Sequence, residues 1–511
     1  MATACADAPD TLLYSVAQIR AIENAARAAL PTGTLMQAAG RATADATLKL
    51  LGTISPQTRV LVIAGPGNNG GDALEAAALL SKQGIDVAIV LLADSAQYSA
   101  EAQQALTHAQ AGKSRFIALS AASGAWSLAI DGLFGIGLTR APEGEFSQAI
   151  AHLNALSCPV LSIDVPSGLD ADTGDIIGSK IGSKASAVCA SDTLTFIANK
   201  PGLHTGHGRD CAGRVVVHRL HIPPGLYGSA VAELSHPALF TSAMKQRKHA
   251  SHKGSYGDLT VIGGATGMQG AVILAARMGA MAGAGRVFAA FLDSVPGFDP
   301  IHPELMCRSA ADIKINQGAL VIGPGLGMSR AATDVLARAL SCDLPLLIDA
   351  DALNLIAVEP ILQMKLAHRS EKMRNKKTVT LLTPHPREAA RLMGVDVEHI
   401  QSHRLAAATE LARRFHAYVV LKGSGSVIAS PEGNCVINST GNAALATAGT
   451  GDVLAGLCGA LLAQQWPAWE AALGATWIHG KAADRMWDQG IGPIGVTAAE
   501  LLPFIRAELN H

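Results

Sequence analysis

Short runs of Val, Ile and Leu alternate with longer Ala-rich stretches of helical spacing along most of this 511-residue chain. Arg59–Ala64, Ile85–Ala93, Ser127–Asp131 and Pro159–Asp164 are near-continuous apolar runs, the pattern of strands buried on both faces. Val16–Leu30, Thr34–Leu51, Asp72–Gln83 and Tyr98–Ala111 carry helical spacing. Such alternation predicts a parallel sheet covered on both sides. It resumes farther on, with Asp258–Gly263, Ala319–Gly323, Leu344–Asp349, Val379–Thr383 and Tyr418–Lys422 as strands. Helices fit Gly270–Gly283, Arg330–Leu340, His403–Phe415, Asp452–Leu462 and Trp469–Met486. Between the two series, Pro223-Pro224-Gly225 and Gly228 exclude regular structure, and Lys245–His249 is a basic exposed run. The breakers divide the chain into a first domain over 12–225, a linker over 226–240 and a second domain over 241–508. No repeat relates the halves, so two different α/β folds are expected.

Composition narrows the function. With 49% hydrophobic and 16% charged residues the chain builds ordered cores. Only 4% is aromatic while Gly numbers 52, which suits close helix–sheet packing and glycine loops. A net charge of −1 leaves no electrostatic footprint for nucleic acid or an anionic membrane. Eight scattered cysteines without a CxxC pair fit free thiols in a reducing compartment, and Met1–Arg20 lacks the pattern of a signal peptide. A cytoplasmic location follows as the expectation. Leu445–Ala463 is the most apolar stretch, but Asp452 and its glycines mark it as a buried helix rather than a membrane span.

Two glycine-rich turns interrupt the apolar pattern where helices begin, the place where unpaired N–H groups receive anions. The first, Gly65-Pro66-Gly67-Asn68-Asn69-Gly70-Gly71-Asp72, lacks the Lys-Ser/Thr of a Walker loop. Its glycines are expected to allow close approach and to supply positive φ. Asp131-Gly132-Leu133-Phe134-Gly135-Ile136-Gly137 and Asp164-Val165-Pro166-Ser167-Gly168 end two further strands. Ligands of open parallel sheets collect outside the carboxyl ends of strands. Asn69, Asp131 and Ser167 are therefore candidate cation ligands, and Asp164 a candidate proton carrier. Any one of these residues alone reads better as a loop cap; together they describe a pocket.

These three segments resemble the motifs of the YjeF N-terminal family, the NAD(P)H-hydrate epimerases, over roughly residues 12–225. The resemblance implies a Rossmann-like three-layer domain. It implies that Asn68, Asn69, Gly70, Gly71 and Asp72, with Gly135, Ile136, Gly137, Leu138, Thr139, Arg140, Ala141 and Asp164, contact the hydrate. Potassium would sit on Asn69, Asp131 and Ser167. Ala73 departs from the family, which usually has a further glycine there.

The second turn, Gly449-Thr450-Gly451-Asp452, opens an apolar helix and sets a carboxylate beside a phosphate cradle. That is the arrangement needed to deprotonate an alcohol nucleophile. Four residues are a weak signal and fit a plain helix cap. Lys422-Gly423-Ser424-Gly425-Ser426, Gly323–Gly327, Asp349–Asn354 and Thr383–Glu388 add further polar strand ends. Asp349 and Asp351 could orient water or magnesium. With His252-Lys253-Gly254 these segments resemble, in order, the YjeF C-terminal family of ADP/ATP-dependent NAD(P)H-hydrate dehydratases, over roughly residues 240–508. A ribokinase-like α/β domain is implied, with Ala271, Gly327, His385 and Asp452 on the hydrate. Lys422–Ser426 and Gly451 would hold ADP with Mg2+. Departures are Met268 without the usual aromatic, Arg387 for a small residue and Ala448 for a glycine.

Hydration of a reduced nicotinamide ring leaves a C6 hydroxyl in either configuration. The resemblance implies that the first domain interconverts the two NADHX or NADPHX epimers. The second would dehydrate the S form with ADP, Asp452 acting as base and Asp164 serving the epimerase. A homo-oligomer is implied, a tetramer among the forms open. Two alternatives remain at this stage: a small-alcohol kinase fused to an accessory domain, and a first domain that is a binding module.

Overall fold

A computed structural model describes residues 10–92, 98–179, 185–374 and 378–510. They form two compact units, Met1–Glu233 and Leu234–His511. In the first, strands β1 (Arg59–Ala64), β2 (Asp86–Leu91), β3 (Arg115–Phe116), β4 (Leu128–Gly132), β5 (Val160–Ile163), β6 (Asp192–Phe196) and β7 (Arg214–His218) make one sheet in the order β3-β2-β1-β4-β5-β6-β7. Every pairing in it is parallel. The chain reverses direction across the sheet at β1 and β4, the switch point where doubly wound sheets open a crevice. Expected strand Ile85–Ala93 ends at Leu91, and Ala93 lies outside the described residues.

Alternation along β1 explains the layers. Val60, Val62 and Ala64 pack with helices Val16–Ala29, Thr34–Leu51 and Asn68–Lys82, whereas Leu61 and Ile63 face Ala149, Ile150 and Leu153 of helix Glu145–Ala155. The second unit repeats this architecture with its own topology. Strands β8 (Asp258–Gly263), β9 (Arg286–Phe291), β10 (Met306–Ser309), β11 (Ala319–Ile322), β12 (Leu346–Ile348), β13 (Thr380–Leu382), β14 (Tyr418–Leu421), β15 (Val427–Ala429) and β16 (Cys435–Ile437) run in the order β16-β15-β14-β13-β12-β11-β8-β9-β10. Among the pairings of these nine strands only β14–β15 and β15–β16 are antiparallel. Val261, Val321, Leu347, Leu381 and Val420 face one helical layer, and Ile262, Ile322, Ile348 and Leu382 the other.

Small residues do the work the composition predicts. A Cβ on Gly456 would lie 2.1 Å from the Ala275 carbonyl oxygen, so helix Thr450–Ala463 can cross helix Gln269–Met281 only with glycine there. No helix among the described residues is long and apolar enough to cross a membrane.

Candidate functional sites

Helix Asn68–Lys82 begins four residues earlier than its periodicity suggests, at the glycine loop itself. Asn68 to Gly71 are poor helix formers, and packing overrides propensity. A Cβ on Gly65 would lie 2.0 Å from the Leu133 carbonyl oxygen, and one on Gly70 the same distance from that of Gly65. The expectation of positive φ is wrong for this loop: Gly65, Gly67, Gly70 and Gly71 all lie outside that region. Their lack of a side chain is what matters. Ala73, the departure from the family, sets its methyl where a Cβ on Gly132 would fall, 2.4 Å away. Overpacking costs about 1–3 kcal/mol, so Gly70→Ala should lower the unfolding free energy of the first unit by that amount, read from the shift of its denaturant midpoint.

A pocket of about 480 Å³ opens over this loop. Asn68, Asn69, Asp72, Gly135 to Arg140 and Asp164 line it. Gly70 and Gly71 lie behind that surface, Gly71 against Met36, and Ala141 packs toward Gly178. Asp131 and Ser167 are fully buried. Ser162 Oγ and Ser167 N donate to Asp131 Oδ2, and Ser167 Oγ and Leu133 N donate to Oδ1. Burial pushes the Asp131 carboxyl up, against those four hydrogen bonds. The Asn69 side-chain nitrogen is buried without a partner. Asn69 and Asp164 converge on Gly135, where a Cβ would lie 3.0 Å from Asp164 Oδ2 and 3.4 Å from Asn69 Oδ1.

Asp164 leaves β5 with φ 66, a left-handed conformation uncommon for a residue with a side chain. Its Oδ1 is 2.8 Å from Lys200 Nζ, and Lys200 is fully buried. The same ammonium donates to Thr195 Oγ1, Phe196 O and Ala198 O. Sequence reasoning passed over Lys200. Its only signal was a lysine placed before Pro201-Gly202, just after a strand that was itself hidden.

In the second unit Gly449 takes φ 90 and starts helix Thr450–Ala463 with no side-chain cap, leaving the first turn to a ligand. Asp452 lies in that turn, its pKa raised to about 6 by burial and then by Asp349, with Lys422 opposing. Lys422 Nζ sits 2.7 Å from Asp349 Oδ1 and 3.5 Å from where a Cβ on Gly451 would be. Burial alone would lower Lys422, but Asp349 and Glu388 hold it above its ordinary value. Gly423, with φ 142, lies against the buried Arg404 guanidinium, and Gly423 N donates to Ser426 Oγ. Gly327 N donates to Asp351 Oδ2 at 2.8 Å, and a Cβ on Gly325 would lie 3.3 Å from Ala271 Cβ. The glycine turn, Ala271 and the paired aspartates therefore share one sheet edge.

His385 is a helix cap as well as a site candidate. Its Nδ1 accepts from Arg387 N and Glu388 N, and its Nε2 is 3.2 Å from Glu388 Oε1. Burial, then Lys422, lowers its pKa, whereas burial raises that of Glu388 to about 7. His479 on helix Ala468–Asp488 bonds to the Thr450 backbone, and its Nε2 is buried without a partner. Burial takes this imidazole down to about 4, so it stands neutral behind the glycine turn. Neither Glu388 nor His479 was assigned a role from sequence. Glu388 was visible inside a quoted motif, but nothing in the helical run around His479 marks it.

A family model described as YjeF-related protein N-terminus matches residues 32–202, and one described as NAD(P)H-hydrate dehydratase matches 259–506. The bifunctional NAD(P)H-hydrate repair enzyme of Coxiella burnetii is 35% identical over 98% of this chain and 100% of its own. That of Escherichia coli is 35% identical over 88% of this chain and 85% of its own. The ADP-dependent (S)-NAD(P)H-hydrate dehydratase of Neisseria meningitidis serogroup B is 41% identical over 55% of this chain and 95% of its own. With 35% identity to such a relative over nearly the full length and both domain models in order, the chain belongs to the bifunctional NAD(P)H-hydrate repair enzyme family, which joins an epimerase to an ADP-dependent dehydratase.

Proposed function

We propose that residues 12–225 carry the epimerase and 241–508 the dehydratase, joined by 226–240, and that the residues assembled at each sheet edge act on the hydrated nicotinamide. The observation that carries the reading is Asp452 in an uncapped helix turn beside the Lys422–Asp349 pair. The C6 hydroxyl of the S hydrate meets Asp452, with Ala271, Gly327 and His385 around the ring. ADP phosphates lie over Lys422–Ser426 and the Gly451 N–H, where Lys422 and the helix dipole offset their charge. Asp452 takes the hydroxyl proton as the terminal phosphoryl group passes from ADP to the C6 oxygen, leaving AMP. The C6–O bond then breaks, phosphate departs with the electron pair, and loss of the C5 proton restores the ring double bond. Asp349 and Asp351 would offer carboxylate oxygens to a magnesium ion carried by the nucleotide, which would supply positive charge against its phosphates.

In the first unit the hydrate fills the pocket lined by Asn68, Asn69, Asp72 and Gly135 to Arg140, against Asp164. Asn69, Asp131 and Ser167 offer only oxygen and amide groups, a set that fits a hard cation such as potassium. Bound there, potassium would supply positive charge beside two buried carboxylates. The cysteines among the described residues form no disulfide, which suits the cytoplasm. A homo-oligomer is part of the same reading.

The test is to supply the full chain with mixed hydrate epimers and ADP. Recovery of dihydronicotinamide absorbance, with AMP and free phosphate in equal amounts, is expected. A stable phosphorylated substrate would instead identify a small-alcohol kinase. Exchanging potassium for lithium should slow use of the R epimer and leave consumption of the S epimer unchanged.

A further inference from the structure

Three carboxyl groups stand at the ligand edge of the first sheet, and they differ sharply in what holds them. Asp131 receives four hydrogen bonds and is fully buried. Asp164 is ion-paired to Lys200 and also accepts from Ile136 N and Phe196 N. Asp72 is only 9% exposed, lines the pocket, and has no hydrogen bond to any described residue. A buried carboxyl ordinarily recruits donors, because leaving it without them is costly. An unpartnered one on a pocket wall is kept for the ligand.

We infer that Asp72 is the proton-transferring residue of the epimerase, while the Asp164–Lys200 pair stabilises the cation formed in the reaction. This rests on the epimerase reading above. Asp72 gives its proton to the C6 hydroxyl oxygen. The C6–O bond breaks with its electron pair going to oxygen, and water departs. The ring nitrogen lone pair moves into a double bond to C6, and the resulting iminium cation lies against the Asp164 carboxylate. Water then adds to the other face of C6, its proton passes to Asp72, and the lone pair returns to nitrogen. Substrate and product differ only in configuration, so the proton, the electrons and one water all balance.

The electrostatics around the two groups agree with these roles. Burial first, and the charge of Asp164 second, push Asp72 well above the ordinary carboxyl range, with Glu23 and Glu101 adding to the shift and Arg27 opposing it. A pocket carboxyl pushed up in this way is suited to give a proton, and one held in an ion pair is suited to face a cation.

Asp72→Asn keeps the size and removes the proton. In the full chain it should slow epimerisation by about 10²–10⁴-fold, leaving binding of the R hydrate within a few-fold and ADP-dependent consumption of the S hydrate unchanged. Epimerisation within roughly tenfold of the parent would overturn the inference. Should that variant not fold, the parent enzyme decides in heavy-oxygen water. Uptake of solvent oxygen at C6 in step with epimerisation is expected, and inversion with the original oxygen fully retained overturns the inference. A parent chain that does not epimerise at all fails the earlier reading instead.

Discussion

Asp452→Asn should all but abolish dehydration, by about 10²–10⁴-fold in kcat, while epimerisation continues at the parent rate. The amide preserves the helix turn and its contacts but cannot accept the hydroxyl proton. Phosphoryl transfer depends chiefly on positioning and charge, so the remaining rate reports the cradle of Lys422 and the first-turn N–H groups. KM for ADP should move little, because neither expected nucleotide contact is removed. A full dehydratase rate in this variant refutes the assignment of the base.

The same residue sets the pH dependence. A general base works only when ionised, and burial with Asp349 has raised Asp452 to about 6. Dehydratase turnover should therefore be flat above that pH and fall about tenfold per unit below it. Lys422 opposes the shift, so Lys422→Met should move the acid limb upward. The measurement is kcat for the S hydrate between mildly acidic and neutral pH, with ADP saturating.

How much of this was legible in the chain depended on how the residues advertise themselves. The buried strands β1, β2, β11 and β12 announce themselves as unbroken apolar runs. Strand β6, Asp192-Thr193-Leu194-Thr195-Phe196, does not, because two of its buried positions are threonines. Thr193 is satisfied by the Ala212 carbonyl and Thr195 by Lys200, partners that only the fold supplies. Glycine motifs marked both sites but misled about mechanism at the first, where close packing rather than positive φ requires them. At Gly323, Gly325 and Gly327 the opposite holds, with φ of 126, 56 and 71. Aspartates at strand ends were easy candidates. The ion pairs that distinguish them were not, since Lys200 and Asp164 are 36 positions apart in sequence and Lys422 and Asp349 are 73 apart.

Lys200→Met is expected to cost the first unit about 3–5 kcal/mol and to remove epimerisation with it. The ammonium is fully buried and the Asp164 side chain 13% exposed, so breaking the pair strands a carboxylate in the interior. Thr195 Oγ1, Phe196 O and Ala198 O lose their donor in the same step. The backbone here has little slack: Asp164 at φ 66 and Ile197 at φ 69 both occupy the left-handed region, which a β-branched isoleucine strongly resists. Lys200 draws the two segments together and offsets that strain. Adding Asp164→Asn to the lysine variant should restore much of the stability, because the stranded charge is gone, but none of the activity. A double-mutant cycle on the denaturation transition of the first unit, run beside the epimerase assay, separates the terms. If the single lysine variant keeps both its midpoint and its epimerase rate, the pair neither supports the fold nor orients Asp164.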